Sequence, residues 1–251
     1  MLATVALGMA AMLLIAWLGY QFSGRQPQTV ALDLGISFIR VFVPVLGVLQ
    51  IQDFVAREVE RRLIFTSLTY PRSRSIFLLA RYAAVLFLTA VTMIIFTAVL
   101  AILVKSLGGT YQQGTPVNLG GQLATSTLFS IGDAMVVIAF ATFLAVVATV
   151  PNLVFLVSIG FMVVARSLSG VIQLLYADNT LVTAAEHYRA GLEWLRYLVP
   201  DLGMLDLRRA ALYDQAGLLP DPLWPLIGMP LAYAVLLLAL GCWKFERRQF
   251  S

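Results

Sequence analysis

Six runs of roughly 20 apolar residues, each long enough to cross the ~30 Å hydrocarbon core of a bilayer, constrain this chain more than any other feature. Lipid offers no water to hydrogen-bond a bare N–H or C=O, so each run has to satisfy its own backbone and therefore coil into a helix. Composition agrees: 60% of the 251 residues are hydrophobic, 12% are charged, and the mean hydropathy is +0.88. A soluble domain would carry about a quarter charged residues. The expected fold is an all-α membrane protein of six transmembrane helices, forming one domain over residues 1–251. A net charge of +4 and a pI near 9.4 raise the question of nucleic acid, but the basic residues sit beside the spans, where topology accounts for them. Nucleic acid is not an expected partner.

The first run, MLATVALGMAAMLLIAWLGY, has no Lys or Arg ahead of its apolar core, so it reads as span one (Leu2 to Tyr20) rather than a secretory signal. Span two runs from about Ala31 to Ile51, with Asp33 near its start and Arg40 well inside, and span three from about Ile76 to Val104, long enough to tilt. Spans four and five lie between Leu123 and Tyr176, with Val150-Pro151-Asn152 dividing them into a tight hairpin. Residues 177 to 221 are polar yet studded with aromatics and leucines. Thr183 and Glu186 have capping-box spacing, Pro200 stops that helix, and a second short helix is expected from about Leu205 to Tyr213, lying in or dipping into the interface. Span six runs from about Leu223 to Trp243.

Between spans two and three lies a polar island, QDFVAREVERRLIFTSLTYPRSRS, holding five arginines and three acids. Together with Lys244, Arg247 and Arg248 it makes one side of the bundle basic. By the positive-inside rule that side is cytoplasmic, as are both termini, and the expected location is the inner (plasma) membrane.

Charge inside a span is costly and points to a function or a buried partner. In the hairpin of spans four and five, a turn near Val150 and Pro151 sets Arg166 opposite about residue 135, and Asp133 is two residues off that level, roughly 3 Å. Arg40, about nine residues from the outer end of span two, reaches the same layer. An ion-paired cluster of Arg40, Asp133 and Arg166 in the outer half of the bundle is therefore expected. An interhelical lock is favoured over a substrate contact or gate, because removing one partner leaves an uncompensated buried charge.

Other chemistry is sparse. Cys242 is the only cysteine, which excludes an internal disulfide, and His187 is the only histidine, so no metal site is expected. The chain has no Gly-x-x-x-x-Gly-Lys-[Ser/Thr] phosphate loop, and no nucleophile–base constellation is visible. It is not expected to be an enzyme, and if ATP is used another chain must bind it.

In the island, Ala56-Arg57-Glu58-Val59-Glu60-Arg61-Arg62, then Leu63 to Leu68, then Tyr70-Pro71-Arg72-Ser73-Arg74 resembles the permease subunits of type-2 ATP-binding-cassette exporters. That family reads approximately R-E-x-E-x-G-T-x-x-x-L-L-x-x-P-x-S-R after span two. Arg61-Arg62 departs from its usual Gly-Thr, and Pro71-Arg72-Ser73-Arg74 is the strongest match. Tyr197-Leu198-Val199-Pro200 before the last span and the basic ending Phe245-Glu246-Arg247-Arg248 extend the likeness over most of the chain. The resemblance implies a homodimeric membrane pathway docked on separate ATP-binding subunits that hold ATP and Mg. It further implies a coupling helix contacting that partner, made of Arg62, Leu63, Ile64, Phe65, Thr66, Ser67, Leu68, Thr69 and Tyr70. Glu58 and Glu60 would couple at the base of span two, and re-entrant helices between spans five and six would cap the pathway. Two other classes stay open: an ion- or proton-coupled carrier using the Arg40, Asp133 and Arg166 cluster, and a non-transporting membrane assembly subunit.

Overall fold

The computed structural model describes residues 1–56, 74–108, 117–148, 150–177, 199–214 and 224–247. Among these, six helices are long and apolar enough to cross a membrane. They are α1 (Leu2–Phe22), α2 (Pro27–Ile51), α3 (Arg74–Leu107), α4 (Gly121–Val147), α5 (Pro151–Ala177) and, last in the chain, α7 (Trp224–Arg247). A 3₁₀ turn, Leu202–Leu205, and a short helix, α6 (Arg208–Tyr213), stand between α5 and α7. No strand occurs among the described residues.

Boundaries follow capping chemistry as well as hydropathy. α2 begins at Pro27, four residues before the apolar run, because proline is pre-organised for the first helical position and has no N–H to leave unpaired. α5 likewise opens on Pro151. α2 does not stop at Ile51 but passes into a π-helical turn, Gln52–Ala56. Pro44, within α2, has no N–H to give the carbonyl of Arg40, a weak point where the helix can bend.

α4 is the axis of the bundle, packed by α2, α3, α5, α6 and α7. Its residues Val136, Val137, Ile138 and Ala139 are consecutive and all fully buried, and only a helix enclosed on every side buries four residues in a row. Phe140 stacks on Phe161 of α5 at 4.0 Å between ring centroids, and Phe161 in turn faces Tyr233 of α7 at 6.3 Å. One core cluster joins α4, α5 and α7, and a second joins α1, α2 and the far half of α3.

Small residues set the helix spacing, since lipid is as apolar as leucine and association depends on close fit. α1 buries only Gly8, Met12, Ala16 and Gly19, one residue per turn, against α2. A Cβ on Gly8 would lie 2.1 Å from the Phe42 ring, and one on Gly47 would meet Ile138 of α4 at 2.9 Å and Thr89 of α3 at 3.0 Å.

The two ends of the bundle differ. At one, Gln52 Nε2 donates to Asn152 Oδ1 at 3.1 Å and Ser75 Oγ donates to Glu246, gathering α2, α5, α3 and α7 around the ends of the charged island. At the other, the Tyr20 hydroxyl donates to the Leu107 carbonyl at 3.2 Å and the Asn118 N–H to the Ala211 carbonyl at 2.9 Å. This cap end carries the segment 199–214, which folds back into the bundle. The short helix expected from about Leu205 to Tyr213 is α6, which begins at Arg208 and is preceded by a 3₁₀ turn capped by Asp201, which accepts from the Gly203 N–H at 3.1 Å. Glu58, Glu60, the Arg62 to Tyr70 coupling stretch, the Thr183/Glu186 box and His187 lie outside the described residues.

Candidate functional site: a ladder of charges through the bundle

Arg40 lies thirteen residues into α2 and Asp133 twelve into α4, each about 20 Å from the cap end at 1.5 Å per residue. Both therefore sit near the middle of their helices. Asp133 is wholly enclosed, and its carboxylate takes two guanidinium groups. Arg166 of α5 grips both oxygens, with Nη2 at 2.6 Å from Oδ2 and Nε at 3.4 Å from Oδ1, while Arg40 Nε approaches Oδ2 at 3.4 Å. The fork of Arg166 against a carboxylate is the geometry in which charge-assisted hydrogen bonds are strongest. The hairpin register places the Asp133 and Arg166 side chains level, as two antiparallel helices joined by a short turn require.

Arg40 reaches beyond Asp133. Its Nη2 donates to the Leu202 carbonyl at 2.9 Å, and its Nη1 pairs with Asp206 Oδ2. Asp206 in turn meets Arg208 Nε at 3.4 Å, and Arg208 Nη1 donates to Ser37 and forms an ion pair with Asp33 Oδ1 at 3.2 Å. The result is a ladder of alternating charge: Arg166, Asp133, Arg40, Asp206, Arg208, Asp33. Side-chain exposure runs 14%, 0%, 10%, 25%, 33% and 43% along it, so the ladder starts in the closed interior and ends at the surface. Three arginines and three aspartates cancel formally, which is how the charges inside the bundle are tolerated.

The three residues singled out from sequence thus meet around one carboxylate. Asp206, Arg208 and the Leu202 carbonyl were not singled out, and Asp33 was noted only for its position. One signal was available: Asp33, Ser37 and Arg40 stand at i, i+4 and i+7, a polar stripe on one face of an otherwise apolar span.

The ladder has the chemistry of a clamp. Every rung is a charge pair, and the 3₁₀ turn it holds is non-helical backbone at membrane depth, tolerated because Leu202 and Leu205 are buried in protein. Among the described residues no group of three or more His, Cys, Asp or Glu side chains is placed to hold a metal ion. At the opposite end, Arg81 lies over the rings of Phe77 and Phe54 at 5.1 and 5.9 Å, and Arg247 over Trp243 at 4.4 Å, contacts suited to a membrane–water boundary.

No curated protein matches the chain. A family model described as "Protein of unknown function (DUF2705)" matches residues 5–251, nearly its whole length. The chain belongs to that family.

Proposed function

We propose that the chain is the transmembrane subunit of an ATP-driven exporter, pairing with a second copy to form the substrate pathway and carrying no ATP site of its own. A separate ATP-binding subunit holds ATP and Mg and docks on the Arg62 to Tyr70 stretch, with the protein in the plasma membrane and both termini cytoplasmic. The observation that supports this reading is the tethering of both flanks of the charged island. On its N-terminal side the π turn is fastened to α5 through Gln52 and Asn152; on its C-terminal side Ser75 is fastened to α7 through Glu246. A pull on the island by a soluble partner therefore reaches α2, α3, α5 and α7 together. From α5 the load passes through Arg166 and Asp133 to Arg40, and from Arg40 to the inserted turn at Leu202. Glu58 and Glu60, which follow the π turn in the sequence, would couple the partner to this route.

An ion-coupled carrier would need a carboxylate free to bind and release its ion. Asp133 is held by two guanidiniums, which favours the exporter reading. The test is purification from native membranes under mild detergent. A stoichiometric ATPase should co-purify and should be lost when Leu63, Ile64, Phe65 and Leu68 are replaced by serine, together with ATP-driven transport. A complex that survives those replacements, or a transporting protein with no ATPase attached, would sink the proposal.

A further inference from the structure

A lateral groove of about 240 Å³ runs between α4 and α7 in the half of the bundle nearer the cap end. Phe129, Gly132 and Met135 line one wall, Leu226 and Pro230 the other, and Leu205 of the inserted 3₁₀ turn is part of its lining; no polar side chain contributes. Three features keep it from collapsing. Gly132 projects nothing into it, and a Cβ there would find no heavy atom within 4 Å. Pro230 gives no N–H to the Leu226 carbonyl, so α7 is free to bend away at this level. Leu205 is fixed from behind, because Arg40 holds the same turn by the Leu202 carbonyl and by Asp206.

Depth identifies the occupant. The α4 wall runs from Leu128 to Met135, about 10 to 21 Å from the helix start at Gly121, which is the acyl region of one leaflet of a ~30 Å core. The rim residues Leu128, Ile227 and Leu231 are exposed and continuous with the lipid-facing surface of the spans. Left empty, the walls would lose dispersion contacts along the whole groove. We infer that this groove is a binding site for one acyl chain of a bilayer phospholipid, held in place rather than exchanging freely with the annulus. The inference goes beyond the exporter reading and requires only that the protein is embedded in a membrane.

The experiment uses the full chain in liposomes containing a phosphatidylcholine with a diazirine midway along one acyl chain, followed by illumination and peptide mass spectrometry. Label is expected to concentrate on Phe129–Met135 and Leu226–Leu231, several-fold above the exposed α5 residues Leu156, Val157, Val163 and Val164. Gly132→Trp fills the groove and removes that excess, with Gly132→Leu as the milder version should the larger side chain impair assembly. Gly160→Trp is the control, since Gly160 is exposed on α5 and also has open space at its Cβ position but is not part of this groove's lining. Even labelling of α4, α5 and α7 would overturn the assignment, as would labelling unchanged by the Gly132 variants or reduced equally by Gly160→Trp. Protection of the groove peptides from all lipid label, the result expected if another protein covers them, would overturn it too.

Discussion

Replacing Asp133 by asparagine preserves the shape of the side chain and removes the one charge that two arginines share. Arg40 would keep the Leu202 carbonyl and Asp206. Arg166 would not be so placed, since both of its hydrogen bonds in the described structure go to Asp133. The variant therefore leaves the guanidinium of a side chain only 14% exposed facing a neutral amide, and the formal sum of the ladder moves from zero to +1. Breaking a buried pair in this way costs about 3–5 kcal/mol. The pair lies at the closed end of the ladder, so solvent screening does not reduce that figure as it would at a surface. Reversible unfolding in bicelles, followed by a steric-trap or denaturant titration, measures the loss. The decisive comparison is the double variant Asp133→Asn, Arg166→Met, which removes the stranded charge with the carboxylate. It should be more stable than Asp133→Asn alone, with a coupling energy of about 1–3 kcal/mol. A cost below about 1 kcal/mol for the single variant, or simple additivity in the double, would refute the reasoning.

The same ladder predicts a gradient. Arg208→Ala, at its exposed end, should cost about 1 kcal/mol or less, and raising the salt concentration should shrink the difference from wild type in the same unfolding assay. Close packing at α1 makes Gly8→Leu destabilising by about 1–3 kcal/mol, because the new side chain starts inside the Phe42 ring, whereas Gly132→Leu should change the thermal midpoint little. Gln52→Leu removes the contact with Asn152, whose exposed amide can turn to water instead, for a stability loss of about 1 kcal/mol or less. Under the exporter proposal it should also lower substrate moved per ATP hydrolysed while leaving partner binding intact, a ratio read directly in proteoliposomes.

The spans were legible in the sequence because lipid imposes one rule on every residue of a crossing helix. Their ends were less so. α2 starts at Pro27 rather than Ala31 and α7 runs on to Arg247, since helix propensity and capping continue past the point where hydropathy fades. The level of Asp133 and Arg166 followed from counting residues about a hairpin turn, a purely geometric step. Nothing comparable located Asp206 or Arg208, because how deeply residues 199–214 enter the bundle depends on the cavity that α2, α4 and α5 leave for them. The acceptor at Leu202 is a backbone carbonyl, which every residue carries and no sequence pattern marks. The π turn after Ile51 was hidden for a similar reason: QDFVA resembles an ordinary helix end, and the partner of Gln52, Asn152, lies 100 residues away in the sequence.

The pairing of Asp133 with Arg166 also bears on how the protein is made. A charged residue at the centre of a lone helix raises the cost of leaving the translocon by about 2.5–3.5 kcal/mol, and α4 and α5 each carry one. Threaded separately, both helices would face that barrier; released together as a hairpin, each brings the other's counter-ion across the lateral gate of the channel. In an insertion-reporter assay, the isolated hairpin should therefore partition into the membrane better than the two helices measured singly would suggest, and Asp133→Asn should abolish the advantage. The bond that locks the finished bundle would then also be what lets its central helix enter the membrane at all.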